Sequence, residues 1–190
     1  HFILTNVFTV GYREQTAATD PGITWMDGPE TELNPKYQRN SIAQIYENID
    51  RDLQIALPWI SDSYYTVPKY HFNQKAAYAF ACRFYLFYEK WDEAIKWADA
   101  CLGSAPQTML RDYQAMSLMT QSAGPITNEY INAESNANLL LISVYSALGT
   151  TFGAYTTNKR YAHGNYISLQ ENGNRDIRIA AFRSLYKSYR

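Results

Sequence analysis

Only two cysteines occur in 190 residues, which excludes a disulfide-dense secreted scaffold and any cysteine-rich zinc module. The three histidines, His1, His71 and His163, are scattered without metal-ligand spacing. An excess of one charge is missing as well: 17 Lys and Arg stand against 18 Asp and Glu, a formal net charge of -1. A nucleic-acid binder ordinarily carries a basic excess or a basic stripe, and this chain has neither. No apolar run approaches the roughly 18 residues that would span a bilayer. The phosphate-binding loop, the dinucleotide fingerprint, HExxH, GxSxG and the EF-hand loop are all absent. The opening HFILTNVF has no basic segment, hydrophobic signal core, small-residue cleavage site or initiator methionine. A trimmed product of a longer parent is therefore expected.

What the chain does have is apolar mass and aromatic rings. At 46% hydrophobic and 18% charged residues it can bury a core. Aromatics make up 15%, with 17 Tyr and 4 Trp, a composition suited to surfaces where one end of a ring is buried and the other wet. From Gly11 to Asn40 periodicity disappears, and TDPG, DGPE and LNPK are turn signals. A loop of that length in a compact domain is usually functional or mobile.

The first helix is SIAQIYENIDRDLQIALPWI. Ser41 is its N-cap with Gln44 completing a capping box, and Ile42, Ile45, Tyr46, Ile49, Leu53 and Ala56 form one apolar stripe. Pro58 ends the helix nearby. After an aromatic loop, SDSYYTVPKYHF, comes NQKAAYAFACRFYLFYEKWDEAIKWADACLGSAP, Asn73 to Pro106. Asn73 caps a helix rich in small residues, Glu89-Lys90 breaks it, and a second helix runs from Trp91 to Leu102. Asp92 and Glu93 suit its first turn and Gly103 its end. The intervals between Tyr78, Ala81, Cys82, Tyr85, Ala94, Ala98, Cys101 and Pro106 match a tetratricopeptide-like hairpin. Such a unit cannot hide its apolar face alone, so the Ser41 helix should pack on it. Asp112 to Met119 reads as a short helix. NLLLISVYSAL, from Asn138, could be strand or helix, and the chain ends in a helical stretch from Arg178 onward.

No pair of groups makes a persuasive active site. Asp92 and Glu93 are explained by helix electrostatics, and Asp50/Asp52 and Glu30/Glu32 show no facing geometry. Cys82 and Cys101 fall on facing helices, where buried free thiols and a hairpin disulfide both stay open. Rings within helices, including Trp91 and Trp97, are expected to pack. Trp25, Tyr64, Tyr65, Tyr155 and Tyr161 lie in loops, with Asp27 and Asn158 as polar neighbours. An exposed ring offers a sugar face apolar C–H contact while polar neighbours bind hydroxyls, so these seven residues are the candidate ligand contacts.

Two long stretches resemble the SusD/RagB family of outer-membrane nutrient-binding lipoproteins of Bacteroidetes. SIAQIYENIDRDLQIALPWI resembles "S-v-x-e-v-Y-x-x-I-x-x-D-L-x-x-A-l". NQKAAYAFACRFYLFYEKWDEAIKWADACL is similar to "k-x-A-A-x-A-l-x-A-R-v-Y-L-y-x-g-x-w-x-x-A-i-x-y-A-d-x-v-l", with Ala76, Ala77, Arg83, Tyr85, Leu86, Trp91, Ala94 and Ala98 matching. NANLLLISV and NRDIRIAAF resemble weaker family elements. FILTNVFTVGYREQ lacks the family's Gly-Asp-Val-Pro turn, and Asn138 stands where Glu is usual. The resemblance implies a mainly α fold of tetratricopeptide-like hairpins with long irregular loops. It implies one SusD-like domain over residues 1–190, part of a longer protein, with the hairpin core at 41–106 and a loop-rich region at 107–190. It further implies a non-catalytic glycan or nutrient binder without cofactor or metal, lipid-anchored at the cell surface in its full-length parent. Its partner would be a SusC-like TonB-dependent transporter. Two other classes compete: a tetratricopeptide-like interaction adaptor, for which Arg83 is the clear peptide-facing residue, and a glycoside hydrolase.

Overall fold

The computed structural model describes residues 1–6, 11–118 and 128–142. These fall into two compact units, His1–Thr66 with Phe72–Ser104, and Val67–His71 with the chain from Ala105 onward. The fold is mainly α-helical: α1 (Phe2–Asn6), α2 (Ile42–Ala56), α3 (Gln74–Phe87), α4 (Trp91–Leu102) and α5 (Tyr113–Leu118). No strand occurs among the described residues, only an isolated antiparallel bridge between Pro21 and Ser41.

In the first unit, α2 begins where its sequence places it. Ser41 is extended and its hydroxyl accepts the Gln44 amide at 3.2 Å, while the Gln44 side chain accepts the Ser41 amide at 3.0 Å. The capping box is complete, and two orphan donors are satisfied locally. Ile42, Ile45, Tyr46 and Ile49 are buried and Leu53 is half-buried, as the stripe requires. Ala56 departs from it and is exposed, with Leu57 buried in its place. The reason is local. The α-helix gives way to a 3-10 turn, Leu57–Trp59, whose tighter winding rotates the next side chain inward. Pro58 occupies the first turn of that segment, where its missing N–H costs nothing.

The α3–α4 hairpin is the one pair of helices in close backbone approach among the described residues. Asn73 caps α3 by accepting the Ala76 amide at 2.9 Å, and Asp62 accepts the Gln74 amide at 2.8 Å. Ala76, Ala77, Ala81 and Ala94 are buried, and their missing side-chain bulk lets the backbones approach. The turn between the helices is a Schellman motif. The Lys90 amide donates to the Tyr85 carbonyl at 3.0 Å and the Glu89 amide to Leu86 at 3.4 Å. Glu89 therefore sits at φ 60, a left-handed conformation that favours glycine. The SusD/RagB pattern has glycine at this position. Gly103, at φ 66, stops α4.

Helix α2 meets α3 at side-chain rather than backbone distance, through rings. Tyr46 stacks on Phe84 with centroids 5.5 Å apart, Tyr88 lies 5.1 Å from Tyr46, and Tyr12 closes the cluster at 4.8 Å from Tyr88. Burial pushes the Tyr46 phenol up to about 12. Beside the rings, Tyr85 donates to Asp50 at 2.7 Å, Gln54 donates to the Tyr85 hydroxyl at 2.8 Å, and Lys90 pairs with the other Asp50 oxygen at 2.6 Å. Partial burial disfavours the Asp50 carboxylate. Hydrogen bonds from Lys90, Tyr85 and Gln54, with the Lys90 charge, outweigh that and hold its pKa below the ordinary value.

On the hairpin, Tyr78 and Trp97 pack with centroids 5.2 Å apart. Trp91 does not follow the packing expectation: it opens α4 and stays 56% exposed. Arg83 is exposed, with its guanidinium 5.6 Å from the Phe87 ring. Ala98 is half-buried on α4. Cys82 and Cys101 are free. The Cys101 thiol instead reaches the Lys75 carbonyl at 3.5 Å, and burial raises its pKa.

The second unit is built from short pieces. Pro106 opens a 3-10 turn to Met109, α5 follows, and residues 128–131 form one helical turn. Lys69 ties residues 67–71 to this unit, its ammonium donating to the Ser135 carbonyl and its own carbonyl accepting the Leu141 amide, both at 2.7 Å. Asn138 is buried and uses both ends of its amide. Its oxygen accepts from Arg111, and its nitrogen donates to the carbonyls of Asn132 at 2.8 Å and Glu129 at 3.1 Å. A glutamate, usual here in the resembled family, could not make those two donations when ionised. Residues 138–142 form neither strand nor helix; the rest of that run, and the terminal helical stretch, lie outside the described residues.

Candidate functional site

The long loop before α2 is closed by a short stem. The Gly22 amide donates to Asn40 at 2.8 Å and the Asn40 amide to Ile23 at 3.1 Å, while the Thr24 hydroxyl reaches the Gln38 carbonyl at 3.2 Å. Asn40 also accepts the Trp25 amide at 2.9 Å. Arg39 braces the turn by donating to the carbonyls of Gly22 at 2.7 Å and Pro21 at 3.3 Å. The two segments of the stem lie so close that a side chain at position 22 would be crowded. A Cβ there would stand 3.0 Å from the Asn40 oxygen, 3.1 Å from the Ser41 oxygen and 3.2 Å from the Ile45 side chain.

Stem and helix are one construction. The Ile42 amide donates to the Asp20 carbonyl at 3.0 Å and the Ala43 amide to the Ala17 carbonyl at 2.9 Å. With the Gln44 amide held by Ser41, these loop carbonyls satisfy donors that every helix N-terminus leaves open. Ala17 is buried, and Trp25 packs half-buried against the main core. The loop therefore leaves the helix from a fixed base.

Beyond the stem, residues 25–37 enclose a cleft of about 220 Å³. Trp25 and Tyr37 supply its rings, Met26, Pro29 and Pro35 apolar surface, and Asp27, Glu30 and Glu32 carboxylates. The Tyr37 hydroxyl donates to Glu30 at 2.8 Å, and desolvation together with this bond raises its pKa. Tyr37 thus keeps its proton and stays a neutral ring and donor. Drug-sized pockets run to about 300–1,000 Å³, so this one suits a single sugar-sized group at a time.

Of the seven residues expected to touch ligand, Trp25 and Asp27 come together in this cleft. Tyr64 and Tyr65 stand apart from it, on the loop before α3 that Asp62 pins to the helix start; Tyr64 is 91% exposed and Tyr65 36%. Tyr155, Asn158 and Tyr161 lie outside the described residues. Sequence reasoning passed over Tyr37, which lines the same cleft as Trp25 beyond the two prolines between them. It also passed over Trp59, 84% exposed just after Pro58. A proline before a tryptophan at a helix end was the available signal. No group of His, Cys, Asp and Glu among the described residues is arranged to hold a metal ion, and no described helix is long and apolar enough to cross a membrane.

Comparison with known families bears on this unit directly. A model of the SusD-like family, described as starch-binding and associating with the outer membrane, matches residues 1–86. That segment is similar to the SusD-like family. It takes in α1, the loop with its cleft, α2 and α3 up to Leu86. No curated protein matches the chain. The SusD-like segment thus contains both the aromatic packing of α2 on α3 and the loop that the packing supports.

Proposed function

We propose that this chain is the ligand-capturing part of a SusC/SusD-type outer-membrane uptake system, holding a glycan without turning it over. The observation that carries the reading is the cleft of residues 25–37, two rings and several acceptors on a braced stem, within the SusD-like segment. A ring face contacts the apolar C–H side of a sugar, and carboxylates and carbonyls accept from its hydroxyls. Trp25 and Tyr37 are the ring contacts, with Asp27 the first polar one. Tyr64 and Tyr65 offer further exposed ring surface on the loop before α3, and Tyr155, Asn158 and Tyr161 remain candidate contacts on sequence grounds.

The similarity of residues 1–86 to the SusD-like family supports a setting of surface exposure, a lipid anchor in the full-length parent, and a SusC-like TonB-dependent transporter as partner. The helical hairpin is scaffold in this reading. A hydrolase would need two carboxyl groups facing across a bound sugar, whereas Glu30 is already engaged by Tyr37. The test is a glycan-panel titration of the chain, repeated with Trp25→Ala, alongside product analysis by chromatography. Binding that weakens about tenfold, roughly 1.4 kcal/mol, with unchanged helicity and no product, is expected. Unaltered affinity would remove Trp25 from the site, and glycan cleavage would overturn the non-catalytic assignment.

A further inference from the structure

We propose that the cleft sorts glycans by charge, accepting neutral and amine-bearing sugars and turning away those that carry uronate or sulfate. The proposal rests on the glycan reading above and adds a ligand class to it. Its basis is the composition of the wall. Asp27, Glu30 and Glu32 line the cleft, and no Lys or Arg does. Two cations stand near by in the chain. Lys36, exposed between the lining Pro35 and Tyr37, is outside the lining and offsets one of the three negative charges, and Arg39 spends its guanidinium on the Gly22 and Pro21 carbonyls.

Geometry makes the three carboxylates act together. The three carboxylates line one open cleft of about 220 Å³, and charges closer together than the Debye length of about 8 Å at physiological salt are only partly screened. A group seated in the cleft therefore feels the carboxylates together, at the modest strength of exposed charges. Carboxylates are acceptors only, so sugar hydroxyls and ammonium groups find partners there. A uronate or sulfate oxygen meets the same acceptors and finds no cationic donor in the lining to offset the repulsion. The one side-chain donor shown in use, the Tyr37 hydroxyl, is already turned to Glu30 at 2.8 Å.

Matched probes isolate charge from sugar geometry. Heptamers of α-1,4-glucan and of β-1,4-glucan would each be used in three forms: unmodified, oxidised at C6 to the uronate, and carrying a 6-amino group. Titrations run on the intact chain at low and high salt, and on the triple variant Asp27→Asn, Glu30→Gln, Glu32→Gln with its helicity checked by circular dichroism. The amine form should bind at least as tightly as the neutral one and the uronate at least threefold weaker, a gap of the size that a few exposed charge pairs produce. High salt and the triple variant should both close that gap.

A second measurement needs no glycan. Fluorescence quenching of Trp25, isolated by subtracting the Trp25→Phe chain, should be stronger with caesium than with iodide, and the triple variant should abolish the preference. Uronate binding within threefold of neutral, a gap that survives the triple variant, or equal quenching by the two ions overturns the charge proposal while leaving glycan capture standing. If neither glucan series binds in any form, glycan capture itself falls and the sorting with it.

Discussion

Replacing Asp50 by Asn should destabilise the first unit in a way that depends on pH. The side chain keeps its shape but loses its charge, so packing is preserved and electrostatics alone change. Two interactions weaken. The ion pair with Lys90 disappears; Lys90 is 45% exposed, and pairs of this kind are worth about 0.2–1 kcal/mol. The Tyr85 hydroxyl then donates to a neutral amide instead of a carboxylate, a loss of about 1 kcal/mol. The expected cost at pH 7 is about 1.2–2 kcal/mol.

The pH profile follows from the two shifts. The Asp50 pKa is depressed in the folded protein, so its contribution is present above the unfolded value of about 3.9 and is lost as pH falls through the folded pKa. For Lys90 burial works against the charge, but the Asp50 hydrogen bond and the neighbouring charges prevail and raise the pKa. Its contribution is complete below about 10.4 and is lost as pH rises through the folded value. Urea unfolding of wild type and Asp50→Asn, followed by far-ultraviolet circular dichroism from pH 3 to pH 11, reads the difference directly. It should be flat between about pH 5 and 9 and shrink at both ends. A cost below about 0.5 kcal/mol at pH 7, or one unchanged at pH 3, would show that Asp50 contributes through packing and refute the reasoning.

Three further outcomes are expected from urea titrations. Glu89→Gly should stabilise by about 0.5–1 kcal/mol, because it relieves the left-handed strain at φ 60 while adding some unfolded-state entropy; a loss of stability would contradict the Schellman assignment. Ala94→Leu should cost about 1–3 kcal/mol by overpacking a buried position on the hairpin, and a neutral result would mean that α3 and α4 are not closely apposed there. Ser41→Ala should cost about 0.5–2 kcal/mol through the lost cap, and a cost near zero would mean the Gln44 amide finds another acceptor.

Local chemistry was legible in the sequence. The stripe of α2, its capping box, the Asn73 cap and the Gly103 stop each depend on residues within a turn or two of one another. Where the sequence reading failed, distant contacts or a tighter helix decided. Asp50, Tyr85 and Lys90 meet across 35 and 40 residues, and nothing in one sequence couples them. Glu89 adopts a conformation that glycine normally signals, so the turn was visible but its geometry was not. Trp91 was expected to pack because rings in helices usually do, yet the first residue of α4 leaves most of its ring exposed. Tyr37 reaches Trp25's cleft only after a loop with two prolines folds back on itself, a path that no periodicity encodes.

The stem explains how such a loop can carry function without endangering the fold. Residues 17–25 and 37–41 supply the carbonyls that finish the α2 N-terminus and the hydrogen bonds that close the loop. Changes there disturb helix and cleft together, and at Gly22, with backbone oxygens and Ile45 about its missing Cβ, any added side chain requires those neighbours to shift. Among the described residues, no hydrogen bond runs from 26–36 to α2. The tip is therefore free to change its charges and apolar side chains at little cost to stability, since exposed substitutions away from caps and packed sites usually stay within about 0.5 kcal/mol. The rings of Trp25 and Tyr37, by contrast, belong to the stem. On the glycan reading proposed above, a scaffold so arranged keeps one helical core while the tip is refitted to a different sugar. The charge of Asp27, Glu30 and Glu32 then belongs to this particular tip and not to the fold that holds it.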